Sequence, residues 1–260
     1  MARQRLGQHF LGNESWRARI HSTLDAGADD AWVEIGAGHG EMTETLARAA
    51  RRVIAIETDP RLAQELRRRA ASWPNVEIVE ADVLTVDFAA LTGGSHFRVY
   101  GNLPYYITSP ILHHLFEYAD QIDSIHIVIQ LEVAARIVAN PGNRTYAYLS
   151  AFCHYYSHPQ IVLKIPPGAF RPPPKVTSAL VAMRLPGERA TLGIAKEKQF
   201  LKFIQECFEQ KRKTLRNNLR ALVTADRADA ALSGCGLRAD ARAEQLTLRQ
   251  FADLFRVLYG

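Results

Sequence analysis

Between residues 30 and 130 the chain alternates short, nearly continuous apolar runs with helical patterns, and this alternation constrains the fold more than any other feature. "WVEI" (32–35), "VIAI" (53–56), "VEIV" (76–79), "FRVY" (97–100) and "IHIVI" (125–129) are short and bounded by polar or glycine-containing segments. Runs of this kind predict strands covered on both faces. Helical patterns lie between them around 41–50, 60–71 and 109–119, with another ahead of the first run at 15–26. Strand, helix, strand in repetition predicts a parallel sheet joined by right-handed crossovers.

After a helical stretch at 131–139, "NPGNRTY" predicts a loop and 146–156 a helix, and "PQIVLKI" and "SALVAMRL" predict two more strands. The connector between those strands, "PPGAFRPPPKVT", holds five of the twelve prolines and reads as a stiff, extended loop. "PGERATLG" (186–193) reads as a linker. Beyond it Phe200, Phe203, Ile204, Cys207 and Phe208 recur at helical spacings, and no strand signal follows. The expected organisation is an α/β domain over residues 1–187 and a small all-helical domain over 188–260, which a chain of 260 residues can hold.

Composition enters through what it excludes. With 47% apolar and 23% charged residues, the chain is a folded protein rather than a disordered one. No run approaches the length of a membrane span, and "MARQRLGQHFLGNE" lacks an apolar segment of signal-peptide length, so a cytoplasmic protein is expected. Cys153, Cys207 and Cys235 are far apart and form no C-x-x-C pair, so neither a metal site nor a disulfide framework is expected. The net charge is +5, and residues 196–220 alone carry eight Lys or Arg against three Glu. That local excess fits a polyanionic partner, and it also fits a solvated helix face.

Three successive strand ends carry residues suited to a nucleoside. Gly36, Gly38 and Gly40 follow the first strand in "VEIGAGHGEMT". Their G-x-G-x-G spacing differs from the dinucleotide fingerprint and can cradle the amino-acid part of a nucleoside cofactor, although a glycine-rich turn also occurs as a plain tight connection. Glu57 ends the second strand, where it can accept from ribose hydroxyls, and Asp82 ends the third, where it can accept from an adenine amine. Either acid alone can equally serve as a helix cap.

The fourth strand is followed by "GNLPYYITSP". An exocyclic adenine amine is a poor nucleophile because its lone pair is delocalised into the ring. Asn102 Oδ1 and the Leu103 carbonyl can both accept from that amine, drawing its nitrogen toward tetrahedral geometry without a strong base. Pro104 stiffens the turn and brings no N–H to compete. Tyr105 offers a flat face for stacking, worth roughly 1–3 kcal/mol per base. A turn with Asn as a local cap and Tyr105 in the core would carry the same residues; their position after the fourth strand favours the base-holding reading.

The combination resembles class I S-adenosylmethionine-dependent methyltransferases, which implies a Rossmann-like sheet with the ligand at the carboxyl ends of its strands. "LGQHFL" (6–11), "GNLPYYITSPIL" (101–112), "FRPPPKVTSALV" (170–181) and "QKRKTLRNNL" (210–219) together resemble the universal small-subunit rRNA adenine dimethyltransferase family. That resemblance implies methyl transfer from S-adenosylmethionine to N6 of two adjacent adenosines. They lie in a 3′-end hairpin of small-subunit (16S) rRNA, within a pre-30S particle during ribosome biogenesis. It implies cofactor contacts from His9, Leu11, Gly36, Gly38, Glu57, Asp82 and Asn102. Asn102, Leu103, Pro104 and Tyr105 would hold the target base, with Phe170 stacked on its opposite face. Lys211, Arg212, Lys213, Arg216 and Arg220 would contact phosphates, which position RNA without reading its sequence.

Two positions depart from common forms of the family pattern: His9 stands where Asn is also frequent, and Tyr106 stands where Asn often follows the motif tyrosine. Arg3 and Arg5 read as an exposed basic tail. A monomer is expected, because no heptad seam or long apolar stripe is left over. Two competing readings stay open: a large-subunit rRNA methyltransferase of the macrolide-resistance type, and a non-catalytic RNA-binding factor. A nicotinamide-dependent dehydrogenase is disfavoured by the glycine spacing and by the lack of a hydride-transfer partner.

Overall fold

Each of the five apolar runs forms a strand. The structure, a computed structural model, describes residues 9–104 and 106–260; Arg3, Arg5, positions 6–8 of the N-terminal motif and Tyr105 lie outside the described residues. The first part of the chain runs α1 (Glu14–Leu24), β1 (Ala31–Ile35), α2 (Glu41–Ala47), β2 (Arg52–Glu57), α3 (Pro60–Ala70), β3 (Val76–Glu80), α4 (Phe88–Thr92), β4 (Phe97–Asn102), α5 (Thr108–Phe116) and β5 (Ile122–Gln130). It continues with α6 (Leu131–Ile137), α7 (Tyr148–Tyr156), β6 (His158–Ile165) and β7 (Ser178–Arg184). Five helices follow: α8 (Arg189–Leu192), α9 (Glu197–Cys207), α10 (Leu215–Leu219), α11 (Ala225–Gly234) and α12 (Leu248–Tyr259).

Local chemistry sets the ends of these elements. Asn13 accepts from the Trp16 N–H to start α1, and Asp59 accepts from the N–H groups of Arg61 and Leu62 while Pro60 takes the first position of α3. Helix α4 is too short to leave a periodic signal; Asp87 caps it at Ala90 and Gly93 ends it in the left-handed region.

The seven strands form one sheet in the order β3-β2-β1-β4-β5-β7-β6. The pairs β1–β2, β2–β3, β1–β4 and β4–β5 are parallel, as the alternation predicts. The strand order reverses between β1 and β4, and it is at such a switch point that an open α/β sheet leaves a crevice beyond its carboxyl ends. Trp32, Leu46, Val53, Tyr100 and Leu180 share one buried cluster that locks these strands to the helices over them.

Strand β7 runs antiparallel to β5, with Ile127 opposite Val181, so the sheet is mixed, an orientation that the sequence left open. Two features differ from the sequence expectation. The proline-rich connector is not wholly extended, since Pro167–Ala169 makes a 3-10 turn. The basic stretch is not one helix. It breaks after Cys207, whose carbonyl accepts from the buried Asn218 amide at 2.7 Å, and Lys211–Lys213 lie in the turn before α10.

The chain divides into two compact units, and neither is contiguous in sequence. One runs up to Ala134 and resumes at Pro159–Leu185; the other joins Ala135–His158 to Pro186–Gly260. A single cut at 187 therefore does not describe the division. Helix α7 groups with the C-terminal helices because its tyrosines are satisfied there. The Tyr155 and Tyr156 hydroxyls donate to Glu197 of α9, and the Tyr155 ring lies 5.6 Å from that of Phe200.

Candidate active site

A cleft, open to solvent at its mouth, lies at the carboxyl ends of β1 to β4. Its walls come from four strand ends: Gly36 and Gly38 after β1, Glu57 and Thr58 at β2, Asp82 and Val83 after β3, and Asn102, Leu103 and Pro104 at β4. His9 and Phe10 add a wall from the N-terminal segment.

The glycine loop needs glycine for two separate reasons. Gly38 has φ +57°, and a Cβ there would lie 2.9 Å from Phe10 Cε1, so a side chain would fill the space where the loop meets the N-terminal segment. Gly40 has φ +85°, and a Cβ there would lie 2.3 Å from Leu66 Cδ1. Gly40 is thus favoured by its left-handed backbone, and any side chain there would also displace Leu66 of α3.

Glu57 is buried, and both of its oxygens are held by backbone: Oε2 accepts from Gly38 N–H at 2.8 Å and Oε1 from Asp59 N–H at 2.9 Å. Each carboxylate oxygen keeps a second lone pair for a ligand hydroxyl. Asp82 spends Oδ1 on the Leu84 N–H at 3.0 Å while lining the cleft. The glycine loop and the first acid therefore form one hydrogen-bonded unit.

Asn102 is held by its amide nitrogen, which donates to the His9 carbonyl at 2.8 Å and leaves Oδ1 as an acceptor. Leu103 is pinned by its N–H to Val128 O at 3.1 Å, and among the described residues no donor reaches its carbonyl. Pro104 O takes the Ile107 N–H and the Thr108 hydroxyl, each at 3.3 Å, which closes the turn into α5. Two successive residues thus present acceptor oxygens at the end of β4. The adjoining wall is fixed from far downstream in the sequence: Phe10 and Arg171 exchange backbone hydrogen bonds at 3.1 and 2.8 Å, and the His9 ring bonds Pro172 O at 2.7 Å.

The structure brings together His9, Gly36, Gly38, Glu57, Asp82, Asn102, Leu103 and Pro104. It does not bring Leu11 or Phe170 to the cleft. Both are buried in the cluster that holds Tyr100, Val128 and Leu180, so the Phe170 ring has no face to offer a base where it stands. The two residues anchor the N-terminal segment and the connector instead.

In the helical unit, Lys211, Arg212, Lys213 and Arg220 are exposed, with Lys211 Nζ donating to Arg144 O at 2.8 Å. Arg216 differs from the expected phosphate contact, because two of its guanidinium nitrogens donate to the two Asp229 oxygens. Sequence reasoning missed Phe10, Thr58 and Ile107 as cleft residues; Phe10 and Ile107 carry no polar signature, Thr58 is one polar residue among many, and only the fold places them.

Sequence reasoning also passed over Glu34, a carboxyl buried in β1 whose Oε2 accepts from the Thr43 hydroxyl at 2.6 Å. Burial pushes its pKa up to about 8 against the lowering effect of Thr43, and the charges of Glu41 and Glu57 add to the rise. The folded value lies above the ordinary 4.5, so the native state holds more protons than the unfolded chain between these values. The stabilisation is full below about pH 4.5 and is lost as pH rises through about 8, by up to about 1.4 kcal/mol per pH unit. Urea unfolding at pH 6 and pH 9 is expected to show a larger alkaline loss for the wild type than for Glu34→Gln; equal losses would exclude this role.

Among the described residues no helix is long and apolar enough to cross a membrane, and no group of three or more His, Cys, Asp or Glu is placed to hold a metal ion.

Comparison with known proteins agrees with this geometry. A family model described as "Ribosomal RNA adenine dimethylase" matches residues 1–259. The chain is 40% identical to "Ribosomal RNA small subunit methyltransferase A" of Pseudoalteromonas translucida, over 99% of this chain and 95% of that protein. Among solved structures, a dimethyladenosine transferase from Plasmodium falciparum superposes with a TM-score of 0.82 at 24% identity, covering 95% of this chain and 96% of its own. The 23S rRNA methyltransferase ErmE gives a TM-score of 0.73 at 30% identity, covering 96% of this chain and 100% of its own.

Proposed function

The chain belongs to the ribosomal RNA adenine dimethylase family, and on that premise we propose that it dimethylates N6 of two adjacent adenosines in a 3′-end hairpin of small-subunit (16S) rRNA. The substrate is the rRNA within a pre-30S particle, and the protein works as a cytoplasmic monomer during ribosome biogenesis. The observation that carries this reading is the pair of acceptors, Asn102 Oδ1 and Leu103 O, at a cleft that also presents Glu57 and Asp82.

S-adenosylmethionine, when bound, supplies an electrophilic methyl group. The residues present fit it: Gly36 and Gly38 line the cleft with backbone alone, Glu57 keeps lone pairs for ribose hydroxyls, and Asp82 can accept from an adenine amine. His9 and Asn102 bound the cleft from the other side, with Leu11 securing their segment from the core.

Asn102 and Leu103 accept from the two N6 protons of the target base before the first transfer, and from the one that remains before the second, and draw its nitrogen toward tetrahedral geometry, which frees the lone pair. Because the nitrogen sheds its surplus proton to solvent at the open cleft mouth, and only after it has gained charge, no residue of the loop needs to act as a strong base. Pro104 holds these two oxygens in register, and Tyr105 stacks on the purine. A hairpin makes extraction of the base cheaper than a regular duplex does. The exposed Lys211, Arg212, Lys213 and Arg220 hold phosphates; Arg216 joins them only by parting from Asp229.

The identity of 40% over 99% of this chain to a protein named for the small subunit supports the small subunit as the substrate. Purified protein given labelled cofactor is expected to place label on N6 of adenines in undermethylated small subunits. Label confined to large-subunit rRNA, or absent from both, would overturn the reading.

A further inference from the structure

Among the described residues four large apolar or aromatic side chains stand exposed: Leu84, Tyr106, Val176 and Val257. Single exposures of this kind are ordinary on a protein surface, so their place decides whether they mean anything. Tyr106 is the most exposed of the four, at 61%. It directly precedes Ile107, which lines the cleft beside Pro104. The Ile107 N–H closes on the Pro104 carbonyl at 3.3 Å and α5 begins at Thr108, so the chain turns here, with Ile107 facing the cleft and Tyr106 left in solvent. Leu84, also exposed, follows the cleft-lining Val83 in sequence.

Packing does not explain the ring, because most of it is wet. A substrate does. When a target nucleotide leaves its stack, the base beside it loses a partner face, and that loss is part of the cost of extraction. An aromatic ring at the mouth can cover that face, and stacking of this kind tolerates any base. We infer that Tyr106 stacks on the nucleotide flanking the target adenosine, an assignment that rests on the function proposed above. It makes Tyr106 a positioning residue for RNA, acting through its ring face.

The test compares Tyr106→Ala and Tyr106→Phe with the wild type. In steady-state methylation of undermethylated small subunits, Tyr106→Ala is expected to raise KM for the subunit roughly 5- to 150-fold, the equivalent of one lost stack. With saturating subunits kcat is unchanged, since the contact is made alike in ground and transition states. Cofactor Kd is also unchanged, and Tyr106→Phe behaves as wild type. An unchanged KM in Tyr106→Ala, or a Phe variant as impaired as the Ala variant, overturns the inference. A hairpin RNA with aminopurine beside the target position gives a second readout by binding alone. Its fluorescence is quenched by wild type and Tyr106→Phe and not by Tyr106→Ala; equal quenching by all three overturns the inference. This signal judges Tyr106 even if no methyl group is transferred, an outcome that would instead overturn the proposed function.

Discussion

Asn102→Ala is expected to lower kcat for adenine methylation by about 10²–10³-fold, the usual effect of removing one preorganised hydrogen-bonding group aimed at developing charge. Two oxygens share the target amine in the proposed arrangement, and the alanine variant keeps only the Leu103 carbonyl. The loss has a second part. Asn102 Nδ2 donates to His9 O at 2.8 Å, so its removal also takes away a hydrogen bond that holds the N-terminal segment to the end of β4, worth about 0.5–1.5 kcal/mol. Asn102→Asp separates the two parts: it keeps an acceptor oxygen and sets the other oxygen against the His9 carbonyl, so it is expected to fall between wild type and alanine. Single-turnover transfer of labelled methyl groups at saturating cofactor measures both variants. A kcat for Asn102→Ala within tenfold of wild type would remove the amide from the chemistry.

Glu57→Ala is expected to weaken cofactor binding by about 10²–10⁴-fold, on the basis of two hydrogen bonds to a charged group at about 1.5–3 kcal/mol each. Glu57→Gln should be nearly as damaging, for a geometric reason. Gly38 N–H and Asp59 N–H point at the two carboxylate oxygens, and whichever way the glutamine amide is turned, its NH₂ meets one of those donors. Isothermal titration with the cofactor reports Kd without requiring turnover. If Glu57→Gln binds within threefold of wild type, the ribose assignment is wrong.

The strands and the strand-end acids were legible because both are local signals. A buried parallel strand has to be nearly continuous in apolar residues, and an acid that ends one is adjacent to it in sequence. Glu57 and Asp82 were found in that way. What escaped depends on partners distant in sequence. Nothing near Tyr155 shows that its hydroxyl is satisfied by Glu197, so α7 could not be assigned to the helical unit. Nothing near Cys207 shows that Asn218 takes its carbonyl, so the break in the basic stretch was hidden. Phe170 was misplaced for a related reason. A motif aromatic gives the same letter whether its ring faces a ligand or the core, and here it faces the core. Glu34 was overlooked because a lone acid in an apolar strand does not perturb the strand pattern; only its burial and its bond to Thr43 mark it out.

The pairing of Phe10 with Arg171 bears on when the protein acquires its activity during synthesis. All four parallel strand pairs can be complete once residue 130 has been translated. The segment that supplies His9 O to Asn102 still lacks its connector partners at that stage, because its backbone partner is 161 positions downstream of Phe10 and its ring partner Pro172 is 163 positions downstream of His9. A nascent polypeptide therefore assembles the sheet well before it can close the wall around the donor site, and competence arrives only after the proline connector has cleared the ribosome's exit tunnel.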